Sequence, residues 1–219
     1  MPALAVFDLD NTLLADDSDY LWGRYLVTHG LVDGETYERQ NEKFYADYRA
    51  GCLDIHAFAA LSLIPMMEYP LERLLELRSR FVEEEIRPRI AVGTPALLAG
   101  HRAHGDTLLI TTATGRFITE PIAALLEVPH LIATDAEIVA GRYTGRIAGT
   151  PNFQAGKVER LRAWLQQQPQ DFDAIRCYSD SRNDLPLLEL GDEAVAVDPD
   201  PVLREEATRR GWSVISLRG

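Results

Sequence analysis

Apolar residues in this chain fall into short uninterrupted runs, separated by stretches with helical spacing. The runs are residues 3–7, 107–111, 175–178, 194–197 and 213–217. Such short runs, bounded by polar turn residues, predict strands buried on both faces of a parallel sheet. Between them, residues 94–104, 117–126, 153–168, 185–190 and 202–210 carry helix-like patterns. The first of these is expected to open with Thr94 as N-cap and Pro95 in its first turn. Strand alternating with helix predicts an α/β fold with helices on both sides of the sheet.

Two stretches depart from the alternation. From about residue 19 to residue 87 the apolar positions are helix-spaced (Tyr20, Leu21, Tyr25; Phe44, Tyr48; Leu71, Leu74, Leu75), with Pro65 and Pro70 as breaks and no convincing strand. Such an insertion directly after the first strand sits at the carboxyl edge of the sheet, where open α/β folds bind ligands. It is therefore expected to cover the site, dividing the chain into a core (residues 1–15 and 88–219) and a helical cap domain (residues 16–87). The second departure is residues 132–147, where two extended runs flank Ala140-Gly141 and predict a β-hairpin. No internal repeat or low-complexity segment is evident.

With 219 residues, 46% of them hydrophobic and 26% charged, the chain can bury a sizeable core. Its net charge of −12 lacks the basic footprint of a nucleic-acid binder. No apolar run approaches the roughly 20 residues that span a bilayer, and the N-terminus does not resemble a signal peptide. The two cysteines, Cys52 and Cys177, imply no disulfide framework. The expectation is a cytoplasmic enzyme without membrane or nucleic-acid partners. The five histidines show no zinc spacing.

The chemistry concentrates at strand ends. Asp8 and Asp10 lie two apart where the first apolar run becomes a loop. Positions i and i+2 of an extended backbone point the same way, so both carboxylates face one volume. Like charges that close need a cation or a shared proton, which suggests one ionised carboxylate that attacks and one that carries a proton. Asp180 and Asp184 add two carboxylates after another apolar run, and Mg²⁺ favours such oxygen ligands. Thr111, Thr112 and Thr114 supply hydroxyls where a strand is expected to meet a helix N-terminus, a natural phosphate seat. Lys157 opens an amphipathic stretch and brings a cation that would restrain the nucleophile.

In this order, Asp8-Leu9-Asp10-Asn11-Thr12, Thr112, Lys157 and Asp180 with Asp184 resemble the haloacid dehalogenase superfamily, and the likeness spans essentially the whole chain. The insertion resembles that superfamily's first cap class. The hairpin followed by Gly156-Lys157 is similar to the phosphoserine-phosphatase-like subgroup. The resemblance implies a Rossmann-like core and phosphatase action on a small phosphorylated metabolite. It makes Asp8 the nucleophile that forms an aspartyl phosphate and Asp10 the general acid–base. Thr112, Lys157, Asn183 and Asn11 become phosphate contacts, Thr111 standing in for Thr112 if the register is one residue off. Asp8, the Asp10 carbonyl, Asp180 and Asp184 become the Mg²⁺ site.

Substrate choice is expected to come from the cap. Asp17 falls where phosphoserine phosphatases carry a glutamate that grips the substrate amine. Their carboxylate-binding arginine aligns here with Ser62, in apolar surroundings. That departure points to an amine-bearing phosphate without a carboxylate, such as histidinol phosphate. Tyr20, Trp22, Tyr25 and Phe58 are candidates for an aromatic face toward it. The alternatives on the same scaffold are a phosphoserine phosphatase, a phosphomutase or a phosphotransferase. A receiver-like phospho-aspartate module is the alternative of another class, disfavoured by the large insertion and by Asp10. A glycosyltransferase DxD site would leave Lys157, Asp180 and Asp184 unexplained.

Overall fold

The computed structural model describes residues 2–219. Six strands form one parallel sheet: β1 (Leu4–Phe7), β2 (Thr107–Gly115), β3 (His130–Thr134), β6 (Ile175–Ser179), β7 (Glu193–Val197) and β8 (Ser213–Ile215). Their order is β3-β2-β1-β6-β7-β8. β4 (Ala136–Val139) and β5 (Arg142–Ile147) pair separately as an antiparallel hairpin. The chain leaves β1 toward β2 and β3, then returns to the other side of β1 as β6. Connections thus diverge between β1 and β6, and a crevice opens there at the carboxyl ends of the strands. Asp8 follows β1 directly, and Asp180 follows β6 directly.

Among the described residues, ten α-helices complete the fold: α1 (Ser18–Thr28), α2 (Gly34–Ala50), α3 (Ile55–Ser62), α4 (Ile64–Glu68), α5 (Leu71–Phe81), α6 (Thr94–His104), α7 (Arg116–Leu125), α8 (Ala155–Leu165), α9 (Leu185–Leu190) and α10 (Pro201–Arg210). Side chains alternate across β1, as extended backbone requires. Ala5 and Phe7 join one apolar cluster with Leu21, Trp22, Leu77, Phe81, Leu98 and Ile122, so α1, α5, α6 and α7 cover that face. Leu4 and Val6 join a second cluster with Leu161, Leu187, Leu188 and Leu203, so α8, α9 and α10 cover the other. The first cluster runs without interruption from the sheet into α1 and α5. Both ends of the helical stretch are tied side by side: the Ala15 N–H donates to the Arg89 carbonyl at 2.7 Å, and Leu14 bridges Ile90. Among the described residues, no helix is long and apolar enough to cross a membrane.

Three local expectations are corrected. Residues 132–134 belong to β3 of the main sheet, and the hairpin proper starts at Ala136. Its turn residues, Ala140 and Gly141, both take positive φ, at 50° and 76°, as a type I′ turn requires. β2 continues through Thr112 and Thr114 to Gly115, and α7 starts only at Arg116, so the threonine hydroxyls sit on the strand's extension. Thr94 is the first residue of α6, and its hydroxyl donates to the Leu13 carbonyl at 2.7 Å. That bond anchors the loop carrying Asp8 and Asp10 instead of capping the helix.

Candidate active site

Lys157 is the hub. Its ammonium donates to Asp8 Oδ1 and to Asp184 Oδ2, both at 2.7 Å, and all three side chains are buried. Burial alone would lower the Lys157 pKa, but Asp184 and Asp8 outweigh it and hold the ammonium above its ordinary value. Ser179 donates to the same Asp184 oxygen at 2.8 Å. Thr12 joins the other two carboxylates: its hydroxyl lies 3.0 Å from Asp180 Oδ1 and 3.4 Å from Asp8 Oδ2, and accepts the Asp180 N–H at 3.0 Å. Asp10 sits beside them, its Oδ1 accepting from the Ser18 N–H at 2.7 Å and its Oδ2 from the Thr114 hydroxyl at 2.8 Å.

Negative charge exceeds positive here. Burial, opposed by Lys157 and reinforced by Asp184 and Asp10, pushes the Asp8 carboxyl up to about 7. Asp180 is raised well above the carboxylate range by burial and by the Asp8 and Asp184 charges. Asp10 is raised by burial, which outweighs its bonds from Ser18 and Thr114. One ammonium among four carboxylates leaves an excess that a divalent cation neutralises. Among the described residues, no three histidine, cysteine, aspartate or glutamate side chains form a ready metal cage. What exists is a partial set, Asp8 and Asp180 sharing the Thr12 hydroxyl. That suits Mg²⁺, which keeps several waters and takes substrate oxygens.

The remaining predicted residues divide. Thr112 is buried, 3.4 Å from Asp10 Oδ2, and its hydroxyl accepts the Thr114 N–H at 3.1 Å. Thr111 instead receives the side-chain amide of Asn152 at 2.9 Å. That amide also meets the Thr112 carbonyl at 2.9 Å and the Ile132 carbonyl at 3.0 Å, pinning the end of β2. Asn183 turns its amide toward the Tyr48 carbonyl (2.9 Å) and takes a bond from Gln154 (3.1 Å), tying α2 to the loop after β6. Asn11 takes φ of 58° and lines an outer groove with Asp180 and Arg49. Trp22 is not brought to the site: it is 2% exposed and packs edge-on against Phe81, inside the core. Tyr25 lies in the same core.

A cavity of about 40 Å³ opens onto Asp8 and Asp10, walled by Asp17, Asp19, Tyr20, Phe44, Tyr45, Tyr48, Phe58 and Thr114. Among the described residues, no lysine or arginine lines it. Asp17 accepts the Tyr20 N–H at 2.8 Å as the N-cap of α1. Asp19 is pushed up to about 7 by burial and by the neighbouring Asp10. Sequence patterns passed over Ser18, Ser179 and Asn152, and gave Thr12 no role of its own. Thr12 carried a signal, since it continues the i, i+2 series from Asp8 and Asp10.

Gly156 precedes Lys157 and lets α8 begin there. A Cβ at this position would lie 2.1 Å from the Pro151 carbonyl oxygen, a backbone atom. Gly156→Ala is therefore expected to shift the start of α8, cost roughly 1–3 kcal/mol and lower activity by displacing Lys157. Gly100→Ala, in α6 with open space around its Cβ, is the matched control and is expected to be neutral or stabilising. Thermal melts and turnover of the two variants check this; equal behaviour would rule out the clash.

Comparison with known proteins identifies the family. Residues 5–189 match the family model described as haloacid dehalogenase-like hydrolase. A histidinol-phosphatase of Neisseria meningitidis is 44% identical over the full length of both chains. A phosphoserine phosphatase of Mycobacterium tuberculosis is 31% identical across this whole chain and 72% of its own. A crystal structure of a Bordetella pertussis protein with unknown function superposes with a TM-score of 0.93 at 42% identity, covering 99% of each chain. A substrate-bound phosphoserine phosphatase shares the fold, with a TM-score of 0.72 at 16% identity, over all of this chain and 94% of that one. The chain belongs to the haloacid dehalogenase-like hydrolases. Within them it is a phosphoric monoester hydrolase.

Proposed function

We propose that this enzyme is a Mg²⁺-dependent phosphatase that attacks a small, amine-bearing phosphomonoester with Asp8, histidinol phosphate being the leading candidate. The observation that carries the reading is Lys157 held at 2.7 Å from both Asp8 and Asp184, with Asp10 on the same cavity. Residues 16–87 act as the cap, and the location is cytoplasmic, in keeping with two free cysteines.

An Asp8 oxygen forms a bond to phosphorus while the bond from phosphorus to the leaving oxygen breaks. Asp10, whose raised pKa favours a retained proton, gives that proton to the leaving oxygen. It then takes a proton from water, whose oxygen displaces Asp8 and releases phosphate. Lys157 and the Thr112 hydroxyl hold phosphoryl oxygens as charge redistributes, which is the main task in phosphoryl transfer. Asp8, the Asp10 carbonyl and Asp180 would hold Mg²⁺, with Asp184 orienting its waters. The ion supplies charge neutralisation to the phosphoryl group.

Among the described residues, four carboxylates and no basic side chain face the inner cavity, which supports a cationic substrate over one bearing a carboxylate. The similarity to a histidinol-phosphatase supports the same choice. Phosphate release is the test. With Mg²⁺, histidinol phosphate is expected to exceed phosphoserine in kcat/KM by about tenfold or more. Chelating the metal should stop both. Preference for phosphoserine, or full activity in chelator, would reject this reading.

The role of Asp10 has its own test. Asp10→Asn is expected to slow an alkyl phosphate by about 10²–10⁴-fold, the usual worth of general acid catalysis. An activated aryl phosphate, whose leaving oxygen needs no proton, should lose far less. Equal losses on the two substrates would remove the acid role.

A further inference from the structure

We propose that Asp19, and not Asp17, reads the positive charge of the substrate, from the threshold between the inner cavity and a larger one that houses the rest of the molecule. This rests on the phosphatase reading above.

The second cavity has a volume of about 350 Å³ and lies between α3, α5, α7 and the β4–β5 hairpin. Asp19, Ile55, Phe58 and Ala113 border both spaces. Among the described residues, Asp19 is the one carboxylate of the inner cavity that also faces the outer one. It stands close to the chemistry: Asp19 and Asp10 line the same inner cavity, and Thr114, on the same wall, donates to Asp10 at 2.8 Å. Asp10 is the group placed to protonate the leaving oxygen. A nitrogen a few bonds beyond that oxygen therefore arrives beside Asp19.

Asp17 is differently disposed. One of its oxygens already accepts the Tyr20 N–H, and it borders the inner space alone. Its carboxylate serves the start of α1, where side-chain oxygens satisfy otherwise open backbone donors.

The outer cavity determines which group can lie beyond the cation. Phe58, Leu75, Phe117, Ile138 and Tyr143 give it an aromatic and aliphatic wall. Its charged lining comprises Arg78 and Arg116 against Asp19, Glu120 and Asp135, so acid is in excess. Arg116 is held by Asp135 at 2.5 Å, and Arg78 donates to the Phe117 carbonyl at 2.8 Å. The substrate class that fits is a phosphomonoester with a cationic nitrogen near the ester and a flat ring beyond. The hairpin thus helps select substrate, through Ile138 and Tyr143.

The test compares histidinol phosphate with phenethyl phosphate, which keeps a ring and lacks the cation. In Asp19→Asn the ratio of their kcat/KM values is expected to fall about 10- to 100-fold, mostly through KM, as loss of a charge-assisted bond predicts. Asp19→Glu should retain part of the ratio, and Asp17→Asn should retain all of it. Leu75→Trp, which narrows the outer cavity, should lower histidinol phosphate relative to ethanolamine phosphate by about tenfold. An unmoved ratio in Asp19→Asn, or its collapse in Asp17→Asn instead, overturns the assignment while phosphatase activity stands. Failure of the unmodified enzyme to release phosphate from every ester sinks the phosphatase reading and this one together.

Discussion

Asp8→Asn is expected to abolish phosphate release, with kcat falling by at least about 10⁴-fold, since removing a nucleophile forfeits most of the chemical acceleration. The amide cannot form the bond to phosphorus. The fold should survive intact. Asp8 is held among Asp10, Asp180 and Asp184, and burial already pushes its carboxyl up to about 7, so the native structure disfavours its charge. A neutral group of the same shape relieves that repulsion and leaves Lys157 paired with Asp184 at 2.7 Å. Without divalent ions, the Asn variant should therefore melt no lower than the unmodified protein. Phosphate release measured beside a thermal melt checks both halves. Wild-type turnover in Asp8→Asn would discard the nucleophile assignment.

Lys157→Met should act on stability and activity together. Lys157 is 1% exposed, and its ammonium neutralises two buried carboxylates at once. Removing one partner of a buried ion pair leaves uncompensated charge and costs about 3–5 kcal/mol. For a chain of this size each kcal/mol corresponds to a drop of about 2–4 °C in Tm. Activity should fall by about 10²–10³-fold or more, the worth of a preorganised donor to the transition-state charge. Adding Asp184→Asn removes one of the stranded carboxylates, so the double variant should recover much of the stability and none of the activity. Melts run in chelator decide the matter: an unchanged Tm for Lys157→Met would mean the ammonium is not what holds these carboxylates together.

Much of this site lies close in sequence to apolar runs, which is why pattern alone pointed to it. Asp8 and Asp10 close one run, and Asp180 and Asp184 come after another, because parallel strands deliver their loops to one edge of the sheet. The alternation of runs and helical stretches likewise determined the α/β class, since a strand buried on both faces must be continuously apolar. The hairpin was legible from Ala140-Gly141, where the turn needs positive φ at both positions.

Tertiary structure alone decided the rest. β3 was hidden because His130 begins it and Pro129 precedes it, so its apolar run is short, and its pairing with β2 stabilises an extended state that local pattern did not demand. Where β2 ends was also a tertiary matter: Asn152, forty residues away, holds the Thr112 carbonyl and keeps Thr112 and Thr114 extended. Trp22 and Asp19 show the same limit on one helix. Helical spacing places residues on a face, but which face meets the core and which meets a cavity depends on what packs against it. Here Phe81 and Phe117 draw Trp22 inward, while Asp19 is left at the cavity wall. Residue order encoded the reactive groups, because their chemistry is local. Their partners, and hence the charge each one carries, were decided by contacts between distant segments, because Coulomb and hydrogen-bond energies depend on distances that only the folded chain sets.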